Sequence, residues 1–238
     1  MTRQGGDVEQ QWRSELRGCG PEAVLRWADA TFGDSLTMAC SFGGVTGIAL
    51  LDLARSVVPS LDVFSIDTGF LFPETVAFRE RLRKEWKFRL RVVSPLESAT
   101  EQAERLGDRL WETSPDTCCA LRKVEPAVRA LEGKRAWIVG LRRDQSDTRE
   151  SVEAIDWDSA NGLYRVAPFW SWTEEQILDW TLERGVPVHP LIFAGYPSIG
   201  CTHCTRPVAP GDPRRSGRWK GSGKRECGLH QRPVGEGI

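Results

Sequence analysis

Cys201 and Cys204 stand two residues apart in the stretch from Gly195 to His230, the spacing with which a knuckle of chain presents two thiolates to a metal centre. Upstream, Cys118 and Cys119 are adjacent. Four such thiolates would complete a tetrahedral zinc site, but neighbouring residues are awkward donors to one small ion, whereas a cluster offers each sulfur its own iron. The spacing therefore predicts a [4Fe–4S] cluster on Cys118, Cys119, Cys201 and Cys204, with His203 beside the ligands or exposed rather than among them. Taken alone, the vicinal pair would be no more than small hydrophobes on a helix. Cys227 is different: Lys224, Arg225, Glu226, Gly228 and His230 surround it in sequence. Cations stabilise a thiolate, which is the attacking species, so Cys227 reads as a nucleophile rather than a ligand. Cys40 reads as packing at a strand end, and Cys19 has no partner pattern.

These thiols need a platform. Residues 1–20 are polar and read as an N-terminal arm, frayed or helical. Pro21–Phe32 has helical spacing with its proline in the first turn. Leu36–Cys40 reads as a buried strand, Ser41-Phe-Gly-Gly44 as a glycine-rich turn, and Val45–Val57 as a helix. Strand, turn and helix in that order point backbone N–H groups at an anion, although two glycines alone also make an ordinary tight turn. Further strands are expected at Leu61–Ile66, Arg89–Val93 and Ala136–Val139. Helices are expected after Leu71-Phe-Pro-Glu-Thr75 to about Trp86, from Glu97 to about Leu106, and over Thr117–Leu131 with an early interruption at Pro126. Between Glu150 and Arg165 the pattern suits loops or a short hairpin. Thr173-Glu-Glu-Gln176 has capping-box spacing and predicts a helix to about Arg184, stopped by Gly185 and Pro187. This alternation predicts a Rossmann-like α/β fold with a parallel sheet covered by helices on both faces. Its divisions are an arm over 1–20, a nucleotide-binding α/β domain over 21–194, and a mobile cluster-binding and catalytic segment over 195–238.

Composition bounds the function. A net charge of -1 over 238 residues excludes general nucleic-acid affinity, so any anion site must be a local cluster. Hydrophobic residues at 40% and charged residues at 27%, with no long apolar run, predict a soluble chain without a membrane span. No apolar core follows the basic residue of the N-terminus, which predicts a cytoplasmic protein. A reducing compartment favours ligands and reactive thiols over disulfides.

Together, Cys118-Cys119, Gly195-Tyr-Pro-Ser-Ile-Gly-Cys-Thr-His-Cys204, Gly217-Arg-Trp219 and Lys224-Arg-Glu-Cys-Gly-Leu-His230 resemble the assimilatory adenylyl-sulfate (APS) reductases. The resemblance extends through Asp67-Thr-Gly69, Leu71-Phe-Pro-Glu-Thr75, Gly140-Leu-Arg-Arg-Asp-Gln-Ser146, Asp156-Trp-Asp158 and Val166-Ala-Pro168, and so covers nearly all of the chain beyond residue 20. It implies that Cys227 attacks the sulfur of adenosine 5′-phosphosulfate and releases AMP. A thioredoxin or glutaredoxin-like reductant then frees sulfite from the S-sulfocysteine. The same resemblance implies the [4Fe–4S] cluster on the four remaining motif cysteines. It matches Ser41, Phe42, Gly43 and Gly44 to a phosphate loop, and Ile66, Asp67, Thr68 and Gly140 to an adenosine site. Lys123, Arg215, Arg218 and His230 match the phosphosulfate contacts, with Arg122, Arg142 and Arg149 as further candidates. Cations around the transferring sulfonate make physical sense, because a thiolate attacking a sulfated anion is otherwise repelled. Flexible Gly and Pro around Arg215 and Arg218 would let the tail close over bound substrate.

The competing substrate is the 3′-phosphorylated nucleotide, PAPS, with identical chemistry; relatives specific for it generally lack the four cysteines. An ATP-dependent adenylating enzyme of the same fold is disfavoured by SFGGVTG, which departs from the SGGxDS pattern of ATP-pyrophosphatase relatives. A non-catalytic iron–sulfur redox protein is the remaining alternative, and a homo-oligomer is left open. The tail also reads Arg-Trp-Lys where many relatives carry two tryptophans.

Overall fold

The computed structural model describes residues 3–219, 221–224 and 228–229. In chain order the elements are α1 (Arg3–Leu16), α2 (Pro21–Phe32), β1 (Leu36–Ala39), α3 (Val45–Val57), β2 (Val63–Ile66), α4 (Pro73–Trp86), β3 (Leu90–Val93), α5 (Ala99–Leu106), α6 (Leu110–Thr113), α7 (Pro115–Cys119), α8 (Glu125–Leu131), β4 (Ala136–Ile138), β5 (Ile155–Asp158), β6 (Leu163–Val166) and α9 (Glu174–Glu183). Two compact units hold them: Met1–Cys40, Val45–Val63 and Gly133–Pro187 form one, and Ser41–Gly44, Phe64–Glu132 and Val188–Ile238 form the other.

In the first unit, β1, β4 and β6 are parallel neighbours, with Leu36 opposite Ala136 and Ala136 opposite Tyr164. Strand β5 pairs antiparallel with β6 through a hairpin that aligns Asp158 with Leu163. The sheet is thus mixed rather than parallel throughout. The physical reason is the turn between them: Gly162, at a φ of 69°, donates to the Asp158 carbonyl and reverses the chain too soon for a crossover helix. Trp137 and Ile138 of β4 are fully buried, and so are Val24, Leu25 and Ala28, the α2 positions that sequence spacing put on one face. Helix α3 buries nearly its whole circumference, including Asp52, which accepts from Arg55 at 2.7 Å and Arg184 at 2.8 Å. Helix α9 starts where the capping box predicts. Gln176 N donates to Thr173 Oγ1 at 3.3 Å, and Thr173 N donates to Gln176 Oε1 at 2.8 Å.

In the second unit, the backbone N–H of Asp67 donates to the Val93 carbonyl at the end of β3 (2.9 Å), and Arg91 ties β3 to the Ala130 carbonyl of α8 at 3.1 Å. Helix α5 begins at Ala99 rather than Glu97 because Ser98 caps it, its Oγ accepting from Glu101 N at 3.1 Å. Pro126 does not interrupt the helical run as expected. The turn Ala120–Val124 widens to a π-helical geometry, and Pro126 falls in the first turn of α8, where its missing N–H and its ring are tolerated. Among the described residues, no helix is long and apolar enough to cross a membrane.

Candidate functional site

Cys118, Cys119, Cys201 and Cys204 come together in the second unit. They line one pocket with Phe70, Trp111, Pro115, Arg122, Lys123 and His203. Helix α7 carries the vicinal pair, and the 3₁₀ turn at Thr202–Cys204 carries the knuckle. A short antiparallel bridge between Leu71 and Cys201 joins the knuckle to the Asp67-Thr-Gly69 turn, and Thr202 N donates to the Phe70 carbonyl at 2.8 Å. Thr68, fully buried, places its Oγ1 3.3 Å from Cys201 Sγ and accepts from Phe70 N at 3.2 Å. Above the thiols, His203 stacks flat on Trp111 with ring centres 3.8 Å apart, and Phe70 meets both rings edge-on.

The expected [4Fe–4S] cluster, and with it the iron–sulfur and metal-binding character, is corrected by this geometry. Among the described residues, no group of three or more His, Cys, Asp or Glu side chains is placed to hold a metal ion. Burial, reinforced by the neighbouring sulfurs, pushes Cys118 up to about 12. Burial likewise pushes Cys204 up to about 11, with Cys201 adding to the rise and Lys123 opposing it. Cys201 has a local partner in Thr68.

The cations divide into braces and candidates. Arg122, 3% exposed, donates to Gln102 Oε1 (2.7 Å) and to the carbonyls of Ser98 (2.6 Å), Glu97 (3.2 Å) and Thr68 (3.3 Å), with Phe70 against its guanidinium. Its donors are committed to holding the Thr68 turn. Asp67 is likewise engaged, accepting from Gly69 N and from Arg79. Lys123, half-buried, lies on the pocket wall. Arg218 donates from Nε to the Cys204 carbonyl at 3.3 Å and lies over the Trp219 ring at 4.5 Å, with Arg215 over the same ring at 5.8 Å. Lys224, which sequence reading set beside the nucleophile, pairs with Asp116.

Ser41, Phe42, Gly43 and Gly44 belong to this same unit. Phe42 has a φ of 57°, is buried and stacks on Phe88. Gly43 lies so close to the next segment that a Cβ there would sit 2.8 Å from the Ile199 carbonyl oxygen. The loop and the segment leading into the cysteine knuckle are therefore one packed piece. Ile66 ends β2 just before Asp67.

Gly140, Arg142 and Arg149 lie in the first unit. Gly140 offers its carbonyl to Gln145 Nε2 at 3.1 Å. Arg142 is buried, forks onto both Asp144 carboxylate oxygens and donates to Thr46 Oγ1, while Arg149 donates to Gln145 Oε1. Cys40 is buried with its sulfur 3.7 Å from the Gly47 carbonyl, the packing role its strand-end position suggested. Cys227 and His230 lie outside the described residues. Gly228 is described, and a Cβ on it would sit 3.4 Å from Val124 Cγ2, one residue beyond Lys123.

Sequence reasoning missed the aromatic cover of Phe70, Trp111 and His203, because residues from separate segments carry no shared period. It also missed His189. That imidazole accepts from Leu191 N at Nδ1 (3.2 Å), so Nε2 holds the proton and donates to Thr75 Oγ1 at 2.9 Å. A histidine directly before a proline was the available signal.

Residues 35–207 match the family described as the phosphoadenosine phosphosulfate reductase domain. The chain is 45% identical to a phosphoadenosine 5′-phosphosulfate reductase of Gloeobacter violaceus, over 94% of this chain and 92% of that one. It is 44% identical to an adenosine 5′-phosphosulfate reductase of Shouchella clausii, over 90% and 88%. Among solved structures it resembles a phosphate complex of a phosphoadenylyl-sulfate reductase from Candida auris, with a TM-score of 0.74 and 33% identity, covering 83% of this chain and 96% of that one.

Proposed function

The chain belongs to the phosphoadenosine phosphosulfate reductase family, and on that premise we propose that it reduces adenosine 5′-phosphosulfate to sulfite and AMP in the cytoplasm, with thioredoxin as reductant. Cys227, as thiolate, attacks the sulfur; the bond from sulfur to the phosphate oxygen breaks and AMP leaves with that electron pair. One thioredoxin thiolate then attacks the Cys227 sulfur and expels sulfite, and its second thiol releases the Cys227 thiol. Two electrons pass from the dithiol, which ends as a disulfide.

The observation that supports this reading best is the packing of the Ser41–Gly44 loop onto Ile199 in the unit that also holds Lys123 and Arg218. It joins backbone N–H donors and cations in one piece, as an anionic nucleotide requires. Lys123, Arg215 and Arg218 then offset the charge of the phosphosulfate while Cys227 attacks. A second substrate, the 3′-phosphorylated nucleotide, is favoured by the names of the Gloeobacter and Candida relatives. Steady-state sulfite release with each nucleotide and thioredoxin tests both readings. Turnover of the unphosphorylated nucleotide, lost in Cys227→Ser, is the expected result; turnover that survives the substitution removes Cys227 from its role.

A further inference from the structure

Arg218 packs against two neighbours. One is the Trp219 ring, 4.5 Å from the guanidinium carbon. The other is the backbone of Gly200: a Cβ there would lie 2.2 Å from Nη2, 2.7 Å from Cζ and 3.0 Å from Nη1. Only a residue without a side chain admits the guanidinium. The Gly200 wall is itself fixed, since its N–H donates to Thr205 Oγ1 at 3.2 Å, and that hydroxyl donates to the Cys201 carbonyl at 2.8 Å. Within the slot, Nε is taken by the Cys204 carbonyl and Nη1 reaches Ser198 Oγ at 3.4 Å, while among the described residues no hydrogen bond engages Nη2. A cation pinned on one edge with donors left on the other is set to receive an anion.

Resting on the proposed phosphosulfate chemistry, we propose that Gly200 is a positioning residue: its missing side chain fixes the guanidinium of Arg218 in the orientation that binds the transferring sulfonate. The position separates positioning from folding. Gly200 is not at positive φ, and the atoms an alanine would meet belong to the far end of a flexible side chain, so the chain folds and the arginine swings out. Gly217 differs, since a Cβ there would meet the Arg206 carbonyl oxygen at 2.2 Å, and backbone cannot step aside cheaply.

The test is a double-mutant cycle of Gly200→Ala with Arg218→Ala, read as kcat/KM for the phosphosulfate nucleotide and as the nitrogen-15 signal of the Arg218 Nε–H. Gly200→Ala alone lowers kcat/KM roughly tenfold to a hundredfold, the loss expected of one charge-assisted hydrogen bond. In the Arg218→Ala background it changes the value less than about twofold. The Nε–H signal, shifted by the Trp219 ring in the parent, moves toward that of free arginine. An equal loss in both backgrounds, or an unmoved Nε–H signal, overturns the proposal. A parent protein that turns over neither nucleotide overturns the functional reading instead, and the Nε–H signal then decides whether Gly200 orients Arg218.

Discussion

Replacing Gly43 by alanine tests whether the Ser41–Gly44 loop and the cysteine-bearing segment are one packed piece. Ordinary contact begins at 3.4 Å, and the new Cβ would sit 2.8 Å from the Ile199 carbonyl oxygen, a shortfall of about 0.6 Å. The Ile199 Cβ at 3.2 Å and carbonyl carbon at 3.3 Å block escape along the same side. Backbone rather than a side-chain tip must yield, so the cost falls in the range for overpacking, about 1–3 kcal/mol. For a chain of this size that lowers Tm by about 2–12 °C. If the loop holds the phosphates as proposed, the same displacement moves its N–H donors and lowers kcat/KM by on the order of tenfold or more. Gly44→Ala is the internal control for stability. Among the described residues nothing lies within 4 Å of its Cβ, and its φ is not positive, so the substitution is neutral or raises stability by about 0.4–1 kcal/mol through the unfolded chain. Thermal unfolding of both variants beside the parent is the assay. Equal Tm for Gly43→Ala and the parent, or a larger loss for Gly44→Ala, would refute the close approach.

Arg122→Met removes the donors that satisfy three backbone carbonyls and Gln102, and lowers stability by about 3 kcal/mol or more in thermal or urea unfolding. A variant as stable as the parent but unable to bind nucleotide would make Arg122 a substrate contact instead. His189 contributes a pH dependence to the second unit's core: burial lowers its pKa, with Glu74 opposing. The unfolded chain therefore binds the proton more readily. This contribution to stability is fully present above the ordinary value of 6.5 and is lost as pH falls from there toward the lowered folded value. His189→Gln should flatten the decline of Tm over that window, and an unchanged slope would place the titration elsewhere.

The α/β alternation was legible because burial imposes periods of two and 3.6 residues, and the caps are local: Thr173 and Gln176 mark the start of α9 to the residue. Pro126 misled because its effect depends on the π-helical turn before it, which no local rule announces. The cysteines were legible as a group, and the structure does gather four of them in one pocket. Their chemistry was less legible, since it turns on convergence of separate segments and on mutual burial, which raises Cys118 and Cys204. Arg122 and Arg142 show the same limit. As letters they resemble Arg218, yet buried partners commit the first two, whereas among the described residues one edge of the third has no hydrogen-bond partner.

The most direct measurement is the mass of the peptide containing Cys227 after the protein meets adenosine 5′-phosphosulfate without thioredoxin. The peptide should gain one SO₃ group, matched by released AMP, and lose it again as sulfite when reduced thioredoxin is added. AMP and sulfite formed with that peptide unmodified at every time point would contradict the assignment of Cys227 as the sulfur carrier.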